Sequence, residues 1–131
     1  MPWRLTEEEF RALLAAPREK RYRYFLNHAA DEQRVWALAD ERDQLALVAT
    51  ETSRLMPLWP HKRYTEHDLA SGRWRGVAPI GIHVDDVLEQ VVPDAAEDGV
   101  LFAIFPGKDG QFVVAPNDLE RDLRRELAKY S

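Results

Sequence analysis

Residues 100–105 constrain the fold more than any other part of the sequence, because all six are apolar and turn-forming residues stand on both sides of them. An apolar run of strand length without alternation is typical of a strand that is covered on both faces. Such a strand needs neighbouring strands in a sheet and helices packed against that sheet. The rest of the chain must therefore supply both kinds of element.

Helical patterns flank the strand-forming part of the chain. Thr6 is placed to cap the amide of Glu9, which predicts the start of a first helix that Pro17 ends. Apolar residues at helical spacing predict a second helix: Tyr22, Phe25, Leu26 and Ala29. The last helix is predicted over residues 116 to about 130 from a leucine at every fourth position: Leu119, Leu123 and Leu127.

Short apolar segments predict the strands. Residues 35–38 and 45–49 flank the polar turn 40–43 and predict a hairpin. Residues 55–59 predict a third strand, which lies at an edge or is bulged because Pro57 cannot donate a ladder hydrogen bond. The remaining elements are predicted in this order: a short helix over 61–71, a strand over 79–83, a helix from residue 84 that ends at Pro93, the strand 100–105, and a strand over 111–115 that pairs back antiparallel.

The order of these elements is ααβββαβαββα. It predicts an α+β fold, with one mainly antiparallel sheet of about five or six strands and helices packed on it. A chain of 131 residues suits one hydrophobic core. Residues 1–17 are therefore predicted to form an N-terminal helical extension, and residues 18–131 a single α+β domain.

Composition excludes several classes of protein. The chain has no cysteine, which excludes disulfide scaffolds, zinc–thiolate sites and thiol nucleophiles. Apolar residues make up 45% of it, too many for a disordered acidic tail, yet no segment approaches the roughly 18 consecutive apolar residues of a membrane span. No apolar leader follows Met1, so we expect a cytoplasmic protein.

Motifs for catalysis or metal binding are missing from the sequence. It contains no G-x-S-x-G, no H-E-x-x-H and no phosphate-binding glycine loop. The four histidines lack the spacing of two ligands on one helix face: His28, His61, His67 and His83. The sequence therefore indicates no catalytic residues, no metal and no cofactor, and it favours a protein that is not an enzyme.

Six acidic residues follow one another without an intervening base: Asp85, Asp86, Glu89, Asp94, Glu97 and Asp98. Two interpretations of this run are open. It is either a solvated helix face with its loop, or a docking surface for a basic protein partner.

Basic and aromatic residues alternate over residues 20–25 and 73–75, a pattern that also serves single-stranded nucleic acid. On a helix, however, the same alternation places Tyr22 and Phe25 in the core and leaves Arg21 and Arg23 exposed. The net charge of −5 adds a repulsion from phosphates. The sequence therefore disfavours nucleic acid as the partner.

A second candidate site surrounds residues 58–62, where proline follows Trp59 and fixes an extended approach to the next helix. His61 and Lys62 would then lie at the helix start, near backbone amides that favour anions. One interpretation is that Trp59 anchors the core while His61 bonds locally. The other is an anion- or ligand-binding pocket formed by five residues: Trp59, His61, Lys62, Arg63 and Trp74.

Several short motifs occur in an order that is similar to a known family: Tyr22 and Phe25, residues 35–38, residues 59–62, residues 72–74, Ile82, residues 84–88, Pro93, residues 98–99, residues 105–106, residues 113–114 and the closing helix to Tyr130. Together they resemble, over residues 18–130, the small bacterial proteins of the domain-of-unknown-function family numbered 2750. The resemblance implies a compact α+β domain of bacterial origin. It implies no reaction, because that family has no assigned catalytic residues.

We therefore expect a non-enzymatic cytoplasmic binding protein, of an immunity type or a regulatory type, that uses the acidic run to hold a basic protein. The immunity or adaptor role follows from analogy with other small acidic families. The alternative is a sensor that binds a small molecule or an anion around residues 58–62. No oligomeric state is predicted.

Overall fold

Six strands form two sheets in the computed structural model, which describes residues 4–107 and 110–130. The strands are β1 Arg34–Ala39, β2 Val48–Ala49, β3 Arg54–Leu58, β4 Ala78–His83, β5 Val100–Gly107 and β6 Gly110–Val114. The helices are α1 Glu7–Ala15, α2 Arg18–Glu32, α3 Lys62–Leu69, α4 Val84–Asp86, α5 Val92–Asp98 and α6 Pro116–Ala128, with a π-helical turn at Val87–Val91 that joins α4 to α5. Because α4, the π turn and α5 form one continuous run, the order of elements and the α+β class are confirmed.

Strand β5 lies inside the larger sheet, whose order is β2-β3-β5-β6. It runs parallel to β3 and antiparallel to β6. Phe102, Ile104 and Phe105 are completely buried, and α2, α5 and α6 all contact the strand. The prediction of a covered central strand at residues 100–105 is confirmed.

The prediction of one sheet and of a full hairpin at residues 35–49 differs from the structure. The turn does close, since Ala39 and Leu45 form a bridge pair. Beyond it the chain leaves β1, which pairs instead with β4 in a separate two-stranded sheet. Trp36 and Trp59 exchange two backbone hydrogen bonds of 2.9 and 2.8 Å and so connect the two sheets.

The position of Pro57 agrees with its missing N–H. Strand β2 pairs only with Arg54 and Leu55, so Pro57 lies beyond the end of β2 and pairs with Ala103 of β5. The predicted edge position is wrong for β3 as a strand, because β3 lies between β2 and β5; only its Pro57 half extends past the end of β2. The predicted start of α1 is confirmed, because the Thr6 side chain accepts a hydrogen bond of 3.1 Å from the Glu9 amide.

The prediction that the helix from residue 84 ends at Pro93 is wrong. The helix passes through Pro93 and ends at Gly99, whose φ of 71° is the left-handed conformation of a helix cap. Proline inside a helix clashes with the carbonyl four residues earlier. Immediately before Pro93, the amide of Val92 bonds to the carbonyl of Val87, five residues back. This wider turn lets the helix continue across the proline.

Helix α1 packs on the same core as the rest of the chain, because Phe10 and Leu13 are buried among the core residues. The boundary at residue 17 between an extension and a domain stays a prediction. The packing shows only that α1 covers its own chain.

Candidate functional site

The acidic segment, residues 85–98, presents six exposed carboxylates: Asp85, Asp86, Glu89, Asp94, Glu97 and Asp98. The segment is held by its other face, which is buried at Val84, Val87, Leu88, Val92 and Ala95. The spacing of these apolar residues turns one side of the helical run to the core and leaves the acids outside. All six predicted partner-binding residues therefore share an accessible stretch of chain.

These six carboxylates form no ion pair with a lysine or arginine in the part of the chain that the structure describes. Asp85 lies 3.6 Å from Nδ1 of His83, the residue that caps α4 by accepting from the Asp85 amide. Arg54 reaches the end of the segment, but it donates to the main-chain oxygen of Asp98 and not to the carboxylate. The fold thus leaves the charge of the acidic segment unneutralised.

The two ends of the acidic segment differ electrostatically. Asp85 and Asp86 lie in the first turn, where the helix dipole favours negative charge. Glu97 and Asp98 lie in the last turn of α5, which holds no basic residue. The dipole favours cations there, so these two acids oppose it.

The second predicted site is not assembled as one pocket. Trp59 is only 1% exposed and lies in the hydrophobic core, so its ring offers no surface to a ligand. His61 caps α3, its Nδ1 accepting a hydrogen bond of 3.0 Å from the Arg63 amide. The interpretation of Trp59 as a core anchor and of His61 as a local hydrogen-bonding residue agrees with the structure.

The three other residues of that site point to separate neighbours or to solvent. Lys62 is exposed. Arg63 bonds to the Glu7 carboxylate and stacks at 4.1 Å over the Phe10 ring, so it fastens α3 to α1. Trp74 follows the far end of α3 and donates through Nε1 to Asp68. A binding role for His61 and Lys62 stays a prediction.

A half-buried polar cluster joins α1, α2 and α3. The Tyr24 hydroxyl donates to Glu9 at 3.1 Å and lies 3.3 Å from the Tyr64 hydroxyl. Burial is the main cause that raises the pKa of Tyr24, and it raises the pKa of Tyr64 to about 12. Both phenols therefore stay protonated at neutral pH and act as hydrogen-bonding groups that tie the three helices together.

Two histidines lie beside this cluster. The His28 ring is 4.4 Å from the Tyr24 ring, and burial lowers the pKa of His28 and of His61. Neutral imidazoles are the expected forms at pH 7. Among the described residues, no three His, Asp or Glu side chains converge as metal ligands would.

Sequence reasoning missed Arg21, which was predicted to be exposed and is completely buried. Its guanidinium donates to the nearby carbonyl of Ala16 and to two carbonyls of the distant β5–β6 hairpin, those of Phe105 and Gly110. It therefore fixes the hairpin of β5 and β6 to the connection between α1 and α2. Phe105 has a left-handed φ of 51° and lies where the pairing register between β5 and β6 shifts, between Ile104 and Gly107.

Comparison with known proteins supplies the family. Every helix in the described residues is too short or too polar to cross a lipid bilayer. A search of curated proteins found no match. The family model described as a protein of unknown function, DUF2750, matches residues 22–123, well over half of the chain. The chain therefore belongs to the DUF2750 family.

Proposed function

We propose that this protein is a non-enzymatic binding protein and that the acidic segment holds a basic protein partner. The observation that carries the proposal is the row of six exposed carboxylates that pair with no lysine or arginine of the described chain. A partner with lysines or arginines at matching positions would supply the missing counter-charges. Complementary charge of this kind raises association rates and suppresses wrong partners.

Two further features support the proposal. The acids at the C-terminal end of α5 oppose the helix dipole, so local stability does not explain their presence. The apolar face beneath them is buried, so the segment is a firm platform and not a mobile tail. Charged residues at positions where they lower the local stability of a helix are often functional.

We further infer a bacterial, cytoplasmic protein of an immunity or regulatory type. Small size, net negative charge and the absence of cysteine support this setting. Nucleic acid is disfavoured as the partner because phosphates are repelled by the acidic segment.

Affinity capture from the source cell tests the proposal with three forms of the full chain. The first is the natural protein, and the second carries Asp85→Lys, Asp86→Lys and Glu89→Lys. The third is a control with the same change in net charge, Glu19→Lys, Asp118→Lys and Glu120→Lys. The control carboxylates pair in the fold with Arg18, Arg121 and Arg124.

The proposal expects a protein that the natural form and the control capture, that the Asp85/Asp86/Glu89 variant loses, and that salt releases. If the two variants capture the same proteins equally, the acidic segment has no role in binding. Circular dichroism of all three forms checks that each is folded.

A sensor that binds an anion around residues 58–62 is the alternative, and it has less support. The Arg63 amide and guanidinium, which would hold the anion, already bond to His61 and Glu7. Thermal unfolding with inorganic phosphate and acetate tests the sensor. A bound anion at about 100 times its Kd adds about 2.7 kcal/mol to the free energy of unfolding. We expect no shift, and a saturable rise that His61→Ala removes would reinstate the sensor.

A further inference from the structure

A groove of about 710 Å³ opens between α1, the end of α3 and the β5–β6 hairpin. Small-molecule sites commonly have volumes of about 300–1,000 Å³ and combine an apolar lining with a few placed polar groups. The groove lies apart from the acidic segment, since none of the six carboxylates lines it. It also lies apart from Trp59, His61 and Lys62.

Apolar atoms form one part of the lining. Leu14 and Ala15 come from the outer face of α1, and Pro106 comes from the hairpin. Arg21 fixes that hairpin to the end of α1 through its bonds to Phe105 and Gly110. These walls are therefore held at a set distance from each other.

Two guanidinium groups line the groove from opposite elements. Arg11 projects from α1 and pairs through Nε with Glu7 at 3.0 Å, which leaves its two terminal nitrogens for a further partner. Arg73 projects from the turn after α3, and both arginine side chains are largely exposed. Arg73 is oriented through one nitrogen, which donates to both oxygens of Asp68 at 3.0 and 2.8 Å. Because both bonds use the same terminal nitrogen, the other two nitrogens of the Arg73 guanidinium form no bond to Asp68.

The partner of Arg73 is itself fixed. Asp68 accepts a hydrogen bond of 2.5 Å from the Trp74 indole, and the Ser71 hydroxyl bonds to its carbonyl. Arg73 is thus a pre-oriented cation at the rim of an apolar groove. Because a guanidinium fork matches carboxylates and phosphates, the groove suits an anion that carries an apolar body.

We propose that this groove binds a small organic anion, with Arg73 and Arg11 at the anionic group and with Leu14, Ala15 and Pro106 against the apolar body. The site is independent of the proposed protein partner. Its ligand is a carboxylate or a phosphate monoester, since both present the same oxygens to a guanidinium.

The test is an NMR titration of the full chain with benzoate and, separately, with phenyl phosphate. Acetate, inorganic phosphate and benzyl alcohol are the controls that lack the body or the charge. We expect saturable shifts of the Leu14, Ser71 and Gln111 amides with benzoate or phenyl phosphate, and none with the controls at equal concentration. Benzoate alone identifies a carboxylate site, and phenyl phosphate alone a phosphate site.

Two matched pairs of variants locate the binding. Ala15→Leu fills the groove while Ala12→Leu adds the same side chain to an exposed position of α1 outside it. We expect the first to weaken binding about tenfold or more and the second by less than about twofold. Arg73→Gln removes a guanidinium of the groove and should weaken binding about fivefold or more, while Arg124→Gln on α6 should not.

Several results would overturn the inference: no saturable shift with either aromatic anion, equal binding of the anions without an apolar body, or equal behaviour of Ala15→Leu and Ala12→Leu. Ala15 is exposed on a helix and leucine is a good helix former, so Ala15→Leu is expected to fold.

Discussion

The acidic segment and α6 pack against each other, and both turn an apolar face inward and a charged face outward. On α6 the outer carboxylates are paired: Asp118 with Arg121 at 3.3 Å, Glu120 with Arg124 at 3.0 Å and Glu126 with Lys129 at 3.0 Å. Asp118 lies in the first turn of α6 and Arg125 in the last, as the helix dipole favours. The acidic segment has acids at both ends and no base.

The comparison distinguishes charges that stabilise their own helix, as on α6, from charges that do not, as at the C-terminal end of the acidic segment. On α6 each pair and each end position adds a little stability, so the pattern is explained within the chain. On the acidic segment neither pairing nor the dipole explains the acids at its C-terminal end. What holds both helices is their buried apolar face, which leaves the outer charges of the acidic segment available for a partner.

Truncating a buried anchor should have the largest effect on either helix. Leu123 of α6 and Val87 of the acidic segment are both completely buried. We expect Leu123→Ala to lower the free energy of unfolding by about 2–4 kcal/mol and Val87→Ala by about 1–2 kcal/mol, measured by urea denaturation. Val113→Ala, at a position that is 45% exposed, is the control and should change it by less than about 0.5 kcal/mol. An effect at Val87 no larger than at Val113 would show that burial does not hold the acidic segment.

Reversing outer charges should lower the unfolding temperature by different amounts in the two variants. The Glu19/Asp118/Glu120 variant breaks three ion pairs and should lower the unfolding temperature. The Asp85/Asp86/Glu89 variant breaks no pair with a lysine or arginine of the described chain, and it relieves repulsion among neighbouring acids. Its unfolding temperature should fall less than that of the control. The opposite ranking would mean that the acidic segment is neutralised within the fold.

Acid pH should weaken the cap that His61 forms on α3. Burial lowers the pKa of His61 despite the nearby Glu32 and Glu66. A histidine whose folded pKa lies below its unfolded value of 6.5 stabilises fully above that pH and progressively less as the pH falls through the folded pKa. Protonation of Nδ1 would also remove the acceptor of the Arg63 amide.

The unfolding temperature should therefore be level above about pH 7.5 and fall below about pH 6.5. His61→Asn keeps a capping acceptor that does not titrate there, and it should reduce the fall. His83→Asn is the control, because His83 is exposed and also caps a helix through Nδ1, which accepts from the Asp85 amide. Thermal scans between pH 5.5 and 7.5 measure this, and an equal effect of both variants would contradict the account.

The smallest expected effect comes from the end of the acidic segment. Glu97→Lys should raise the free energy of unfolding by about 0.3–0.5 kcal/mol, because it places a cation where the α5 dipole favours one. Glu97→Gln should give about half of that gain. Differential scanning calorimetry measures it as a rise of about 1–2 °C. A loss of stability in both variants would show that Glu97 has a favourable contact in the fold.

Local signals in the sequence predicted the elements well, since helix caps, apolar periods and turns depend on near neighbours. Thr6, the leucines of α6 and the covered strand at residues 100–105 are examples. Strand pairing and the position where a helix ends depend on distant contacts, and the predictions of these features differed from the structure. The pairing of β1 with β4 and the bridge between Trp36 and Trp59 both join segments that are far apart in the chain. The passage of the helix through Pro93 depends on a π turn that carries no obvious sequence signal.

In the candidate sites, too, features set by near neighbours were predictable and features set by distant contacts were not. The exposure of the acids follows from helical spacing and was predictable. The contacts of the basic residues were not predictable, because Glu7, the partner of Arg63, and the Phe105 and Gly110 carbonyls that bind Arg21 lie in distant segments. The groove beside Arg73 likewise forms only where α1, α3 and the hairpin meet, so no local motif could indicate it.

Binding of an octalysine peptide tests most directly whether the acidic segment is a local, unpaired negative surface. Calorimetric titration of the natural protein, the Asp85/Asp86/Glu89 variant and the Glu19/Asp118/Glu120 control compares two variants of equal net charge. The account predicts that the Asp85/Asp86/Glu89 variant loses at least about threefold more affinity than the control. Equal losses in the two variants would show that net charge alone attracts the peptide, which would contradict the account.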